Sequence, residues 1–128
     1  MDSLFLQETK SSPAIAFDSV SGVLEISGES YPENSYEFYK PVLAWISRFC
    51  AGFPGPIVFN CRISYLNTGS TKSMMDIFDV FEDRFRKGRE IKVNWFCDSE
   101  NDRAIENAEE FKEDVTFPFA IKSIVDNQ

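Results

Sequence analysis

The segment PIVFNCRISYLNTGSTKSMMDIFDVF, Pro56 to Phe81, changes character half-way along. Pro56 to Tyr65 is the best strand in the chain. Farther on, Met74, Phe78, Phe81 and Phe85 follow the 4-3-4 spacing of one helical face, and Ile77 widens the apolar stripe. Between the two, Leu66-Asn67-Thr68-Gly69-Ser70-Thr71 must leave a buried strand and enter a helix within a few residues. A strand-loop-helix unit of this length predicts a right-handed parallel crossover.

The flanking sequence extends the same rhythm. Residues 14–18 (AIAFD) and 23–27 (VLEIS) read as short strands joined by SVSG, with Gly22 available for positive φ, so the fold opens on a hairpin. Phe38, Val42, Trp45 and Phe49 mark a first helix, ended by Cys50-Ala51-Gly52 and Pro54. Pro41 predicts either a kink or a regular helix beginning near Lys40 with the proline in its first turn. After the second helix, RKGRE supplies cations and Gly88 as its stop. Ile91 to Cys97 is a strand, Asp102 to Asp114 a polar helix with Ile105, Ala108 and Phe111 inward, and Phe117 to Ile124 the last strand. The expectation is a single α/β domain over residues 1–128. It has a mixed, mostly parallel sheet with an N-terminal hairpin and about three helices, in the order of small STAS-like domains.

With 128 residues, 43% hydrophobic and 13 of them Phe, the chain can bury roughly two thirds of its extended surface in one core. Its 21 acidic and 13 basic residues leave a formal charge of −8, which argues against nucleic-acid binding and against an anionic membrane surface. No run is long and apolar enough for a membrane span, and MDSLFLQETK does not read as a secretion signal. Cys50, Cys61 and Cys97 sit apart among apolar neighbours and read as buried, reduced thiols, consistent with a cytoplasmic location. Histidine is absent, which removes the commonest general base and zinc ligand. No cofactor or metal is implied.

The loop from Tyr65 to Met74 admits two readings. As structure, Thr68 or Ser70 caps the helix and Gly69 permits the sharp turn. As chemistry, the helix N-terminus offers free N–H donors and partial positive charge, with Lys72 in the first turn, and so tolerates a phosphate. A free nucleotide phosphate is a rival use, but no GxxxxGK[ST] loop is present.

YLNTGSTKSMMDIFDVF resembles the SiaC family of bacterial regulatory phosphoproteins, whose loop is close to LNTSSxK before an apolar helix. SYPENS near the beginning and AEEFKEDVTFPFAI near the end are similar to the family too, in the same order, over nearly the full chain. The resemblance implies a STAS-like, non-enzymatic protein phosphorylated on the threonine of the LNT triplet, here Thr68, with Ser70 and Thr71 as lesser alternatives. It implies a partner kinase and a PP2C-like phosphatase acting on Thr68, and a diguanylate cyclase bound and activated by the unphosphorylated form. Cyclic di-GMP signalling and biofilm growth would follow. The sequence departs from the family loop at Gly69, where the pattern has Ser.

Other segments keep two readings each. Tyr31, Pro32, Glu33, Asn34 and Tyr36 form either a capped helix entrance, with Asn34 or Ser35 as cap, or a partner-binding surface with Asn67, Gly69 and Ser70. Glu106, Glu109, Glu110, Glu113 and Asp114 are a solvated face or a docking patch. Arg84, Arg86, Lys87 and Arg89 read as helix-end chemistry, and Met74-Met75 with the Phe stripe as core. Two rival functions stand beside the phosphoswitch. An anti-anti-sigma partner-switching protein shares the STAS fold but carries a DSSG-like loop, which this chain lacks. A small carboxylate enzyme would use Glu29, Glu33 and Asp98.

Overall fold

In the computed structural model, which describes residues 1–124, Ile57, Phe59, Cys61 and Ile63 are buried, whereas Val58 and Asn60 are half-buried and Arg62 and Ser64 exposed. This period-two alternation marks a strand with one face in the core. It is the fourth of six strands, interleaved with three helices among the described residues. The elements are β1 (Leu4–Leu6), β2 (Ala14–Phe17), β3 (Val23–Ser30), α1 (Ser35–Gly52), β4 (Ile57–Leu66), α2 (Thr68–Arg86), β5 (Ile91–Asp98), α3 (Asp102–Glu113) and β6 (Phe119–Ile124). They build one sheet in the order β1-β2-β3-β4-β5-β6. The first two pairings are antiparallel and the other three parallel. Each crossover advances one strand in the same direction, so right-handedness places all three helices on one face.

The α/β architecture and the hairpin of β2 and β3 agree with the sequence reading, and four details differ. Strand β1 was not expected: three residues carry too little period to be recognised. It is held by the pairing of Leu4 with Phe17 and by Trp45 Nε1 donating to the Asp2 carbonyl at 2.8 Å. β3 does not stop at Ser27 but continues to Ser30 through a bulge between Gly28 and Glu29, where Gly28 has φ +111°. A bulge re-aims the residues beyond it, and here Ser30 ends fully buried. Helix α1 begins at Ser35, so Pro41 lies in its second turn and not in its first. Its missing N–H leaves the Glu37 carbonyl without an intrahelical donor, on a face open to water. β6 begins at Phe119, past Pro118, although Phe117 is itself buried.

The core is an aromatic stack between sheet and helices. Phe78 is its hub, with ring centroids of Phe59, Phe81, Trp95, Phe111, Phe117 and Phe119 all 5.3–6.4 Å away. Trp45 meets Phe17 at 5.3 Å and stacks on Phe49 at 4.8 Å. Met74 is buried as expected, but Met75 points outward and is 46% exposed, so the methionine pair is split between core and surface. Arg89 crosses to donate to the Cys50 carbonyl near the end of α1, so its guanidinium serves the first helix and not the end of the second, where the sequence reading placed it.

All three cysteines are free and buried. Burial pushes the Cys50 thiol up to about 11 and raises those of Cys61 and Cys97 as well, so little thiolate forms near neutrality. The native protein is therefore expected to leave its thiols largely unreacted with Ellman's reagent at pH 7.5, and to release all three on addition of guanidinium. Rapid reaction of a thiol in the folded protein would contradict the burial.

Candidate functional site at two helix entrances

Parallel strands β3 and β4 end side by side, Ser30 against Leu66, so the chain enters α1 and α2 at the same edge of the sheet. Asn34 caps α1, its Oδ1 accepting from Glu37 N at 3.1 Å. Asn67 caps α2, its Oδ1 accepting from Ser70 N at 2.8 Å. The cap of α2 is thus neither Thr68 nor Ser70. Asn67 alone has the extended backbone (φ −77°, ψ 176°) that a cap requires, and Thr68 is already the first helical residue.

The two entrances are tied by a directed chain of hydroxyls. Ser30 Oγ donates to Ser70 Oγ at 2.8 Å, and Ser35 Oγ donates to Asn67 Oδ1 at 3.2 Å. Each serine has one proton, which fixes the other two bonds. Tyr39 Oη donates to Ser30 at 2.6 Å, and Ser70 donates to Ser35 at 3.3 Å. Burial raises the Tyr39 phenol to about 12, so it stays protonated and can head the chain. Asn67 ends it and also donates from Nδ2 to the Pro32 carbonyl at 3.3 Å. Ser30 and Tyr39 were not singled out from the sequence, and Ser35 was considered only as a cap of the first helix; the available signal was the pair of serines bracketing YPEN.

Gly69 has a different role from the one expected. It lies inside the helix without positive φ, so it makes no special turn. A Cβ there would meet Ser35 Oγ at 2.8 Å and Ser35 Cβ at 2.9 Å. Glycine at this position lets the two helix entrances touch. Ser70, expected on a docking surface and as a secondary acceptor, is fully buried in the hydroxyl chain, which withdraws it from both roles in the folded state. Thr71 is half-buried and its Oγ1 donates to the Asn67 carbonyl at 3.0 Å. Thr68 is exposed, and among the described residues its hydroxyl enters no hydrogen bond. The N–H groups of Thr68 and Gly69, first in the helix, have no intrahelical acceptor.

Tyr31, Pro32, Glu33, Asn34 and Tyr36 do gather at this end with Asn67 and Thr68. Tyr31 meets Tyr65 edge-on at 6.0 Å, and Tyr65 is 42% exposed, an aromatic the sequence reading left out. Tyr36 is 69% exposed and lines a hollow between α1 and α2 with Leu43, Ser73 and Asp76. Lys72 is exposed one turn beyond Thr68, 3.7 Å from Asp76. The site therefore presents the Thr68 hydroxyl, unbonded among the described residues, and two helix N-termini beside exposed tyrosines, an arrangement suited to carrying a charge and contacting a protein. Glu29, Glu33 and Asp98 are exposed. No described hollow brings them together: Asp98 lies with Arg62 and Phe96 in a hollow that Glu29 and Glu33 do not line. Among the described residues no cluster of potential metal ligands occurs and no helix is long and apolar enough to cross a membrane.

The model of the SiaC family of regulatory phosphoproteins matches residues 6–124. The chain belongs to the SiaC family. It is 46% identical over 123 residues to an uncharacterized protein of Pseudomonas aeruginosa (strain UCBPP-PA14), covering 96% of this chain and 98% of that one. SiaC of Pseudomonas aeruginosa has a similar structure, with TM-score 0.91 and 44% identity over 97% of this chain and 100% of that one. A solved complex holds the diguanylate cyclase SiaD with its activator SiaC from the same organism. A chain of that complex matches with TM-score 0.91 and 45% identity, over 94% of this chain and 99% of its own. As in other members of this regulatory family, the chain has an α/β fold; SiaC itself is the activator of a diguanylate cyclase.

Removing the Asn67 side chain should cost this SiaC-family protein about 1–3 kcal/mol, since it loses a cap and leaves the buried Ser35 hydroxyl without its acceptor. Urea denaturation of Asn67→Ala checks this, with Asn67→Asp retaining more of the stability because its carboxylate still accepts both bonds.

Proposed function

We propose that this protein is a non-enzymatic phosphoswitch that binds and activates a diguanylate cyclase, with Thr68 as the reversibly modified residue. A partner kinase adds the phosphate and a PP2C-like phosphatase removes it. The unmodified form is the activator, so cyclic di-GMP and biofilm growth rise when the phosphatase prevails. The protein acts in the cytoplasm as a STAS-like partner-switching module, and Tyr31, Pro32, Glu33, Asn34, Tyr36, Asn67 and Gly69 form the docking surface around Thr68.

One observation carries the assignment of Thr68. Of the three hydroxyls in the loop, Ser70 is enclosed and Thr71 bonds the Asn67 carbonyl, whereas Thr68 is exposed with its oxygen unengaged. A phosphate on it would lie beside free N–H groups at a helix N-terminus, where negative charge is stabilised by about 0.3–1 kcal/mol. The cyclase as effector is supported by the complex of the related SiaC with SiaD.

Co-purification of a diguanylate cyclase from the protein's own cells with Thr68→Ala and Thr68→Asp tests the reading. Retention by the alanine variant and loss by the aspartate variant is the expected result. Equal retention by both, with the native phosphorylated protein also retained, would overturn it.

A further inference from the structure

A second surface begins one helical turn beyond Thr68. Thr71, Met75, Glu110, Phe111, Glu113 and Asp114 line a hollow of about 300 Å³ between α2 and α3. It runs into a smaller one of about 30 Å³, where Phe78, Asp79 and Val115 join Met75, Phe111 and Asp114. The combined groove follows α2 from Thr71 to Asp79, about 12 Å at the rise of a helix. Its apolar lining is Met75, Phe78, Phe111 and Val115, and Met75 is nearly half exposed there, although most long apolar side chains on α2 turn inward. Its charged lining is uniformly anionic. Asp79, Glu110, Glu113 and Asp114 are in no ion pair among the described residues, and no Lys or Arg lines either hollow.

We propose that this groove is a docking site for a cationic amphipathic helix of a partner protein. Two turns of such a helix would lay apolar side chains one turn apart over Met75, Phe111 and Val115. Its flanking lysines or arginines would reach the four carboxylates, in the helix-in-groove mode of recognition. The charge pattern selects against the other occupants. An anionic or neutral apolar helix would leave those carboxylates facing a low-dielectric contact without partners. A second copy of this chain, itself at a formal charge of −8, would approach the anionic lining against net repulsion. The inference goes beyond the switch at Thr68 and holds whether or not that residue is modified.

The test uses the intact protein and a fluorescein-labelled 18-residue peptide of Leu and Lys patterned as an amphipathic helix, with a Leu and Glu peptide of the same pattern beside it. Fluorescence anisotropy should give saturable binding of the lysine peptide, none of the glutamate peptide, and affinity that falls as salt rises. Glu110→Lys/Glu113→Lys should weaken binding at least tenfold, and Met75→Asp likewise. Glu8→Lys/Glu100→Lys makes the same change in net charge at exposed positions elsewhere and should weaken it less than threefold. Circular dichroism confirms that each variant is folded. Absent binding, equal weakening by both double variants, or affinity indifferent to Met75→Asp would overturn the proposal, the last two outcomes meaning general attraction to an acidic protein.

Discussion

Full phosphorylation of Thr68 should lower affinity for the cyclase at least a hundredfold while leaving the melting temperature within a few degrees of the unmodified protein. The first half follows from desolvation. The phosphate adds about −1.5 to −2 charges at neutral pH, on the proposed docking surface, which must shed water for the cyclase to bind. A hundredfold loss corresponds to about 2.7 kcal/mol, within the range of leaving a charged group imperfectly paired. The second half follows from placement. Thr68 is exposed and outside the hydroxyl chain, and the helix N-terminus behind it favours an anion. Thr68→Glu, with one charge, should lose less than the phosphoprotein. The second ionisation of the phosphate lies near pH 6. The loss should therefore shrink as pH falls from 7.5 to 5.5 and the dianion becomes a monoanion. Calorimetric titration of the two forms into the cyclase measures all of this. Equal affinity, or a phosphoprotein that melts far lower, would show that the modification acts otherwise.

Phe78→Ala should produce the largest loss of stability of any single truncation in the chain, about 3–5 kcal/mol. Phe78 is the ring on which α2, α3 and strands β4, β5 and β6 converge, meeting six aromatic partners. Those partners belong to several elements and cannot all collapse into the space it leaves, which puts the cost toward the cavity-forming end of the range. For a domain of this size the melting temperature should fall by roughly 10–20 °C. The urea midpoint should drop with little change in slope. Phe78→Leu, which keeps much of the volume, should recover a large part of the loss. A fall of under 1 kcal/mol would mean that the aromatic stack is not the keystone of the fold.

Strand, helix and loop around Thr68 were legible because their signals are local. The helical faces repeat at 4-3-4 spacing, β4 is a long apolar run, and polar residues mark the change from one to the other. Long amphipathic segments declare themselves in this way, and their order dictates parallel crossovers. Strand β1 did not, since three residues carry no period and its pairing with Phe17 is a tertiary fact. Tyr31 and Pro32 reach the loop that carries Thr68, Tyr31 against Tyr65 and Pro32 accepting from Asn67, because β3 and β4 end together and both chains turn into helices there.

The amino-acid sequence by itself determined the α/β class, the reduced and buried cysteines, and the position of the loop that presents a hydroxyl at a helix entrance. Hydrophobic period and cap chemistry are properties of neighbouring residues. Only the tertiary structure decided which hydroxyl is free. Asn67, Ser70 and Thr71 are occupied by contacts with Ser30, Ser35 and Pro32, or with backbone that only folding brings near. It likewise gave Gly69 its meaning, as the place where two helices touch. The bonds that engage Ser70 and the Asn67 side chain from Ser30, Ser35 and Pro32 span 32 to 40 residues of chain, where no periodicity reaches.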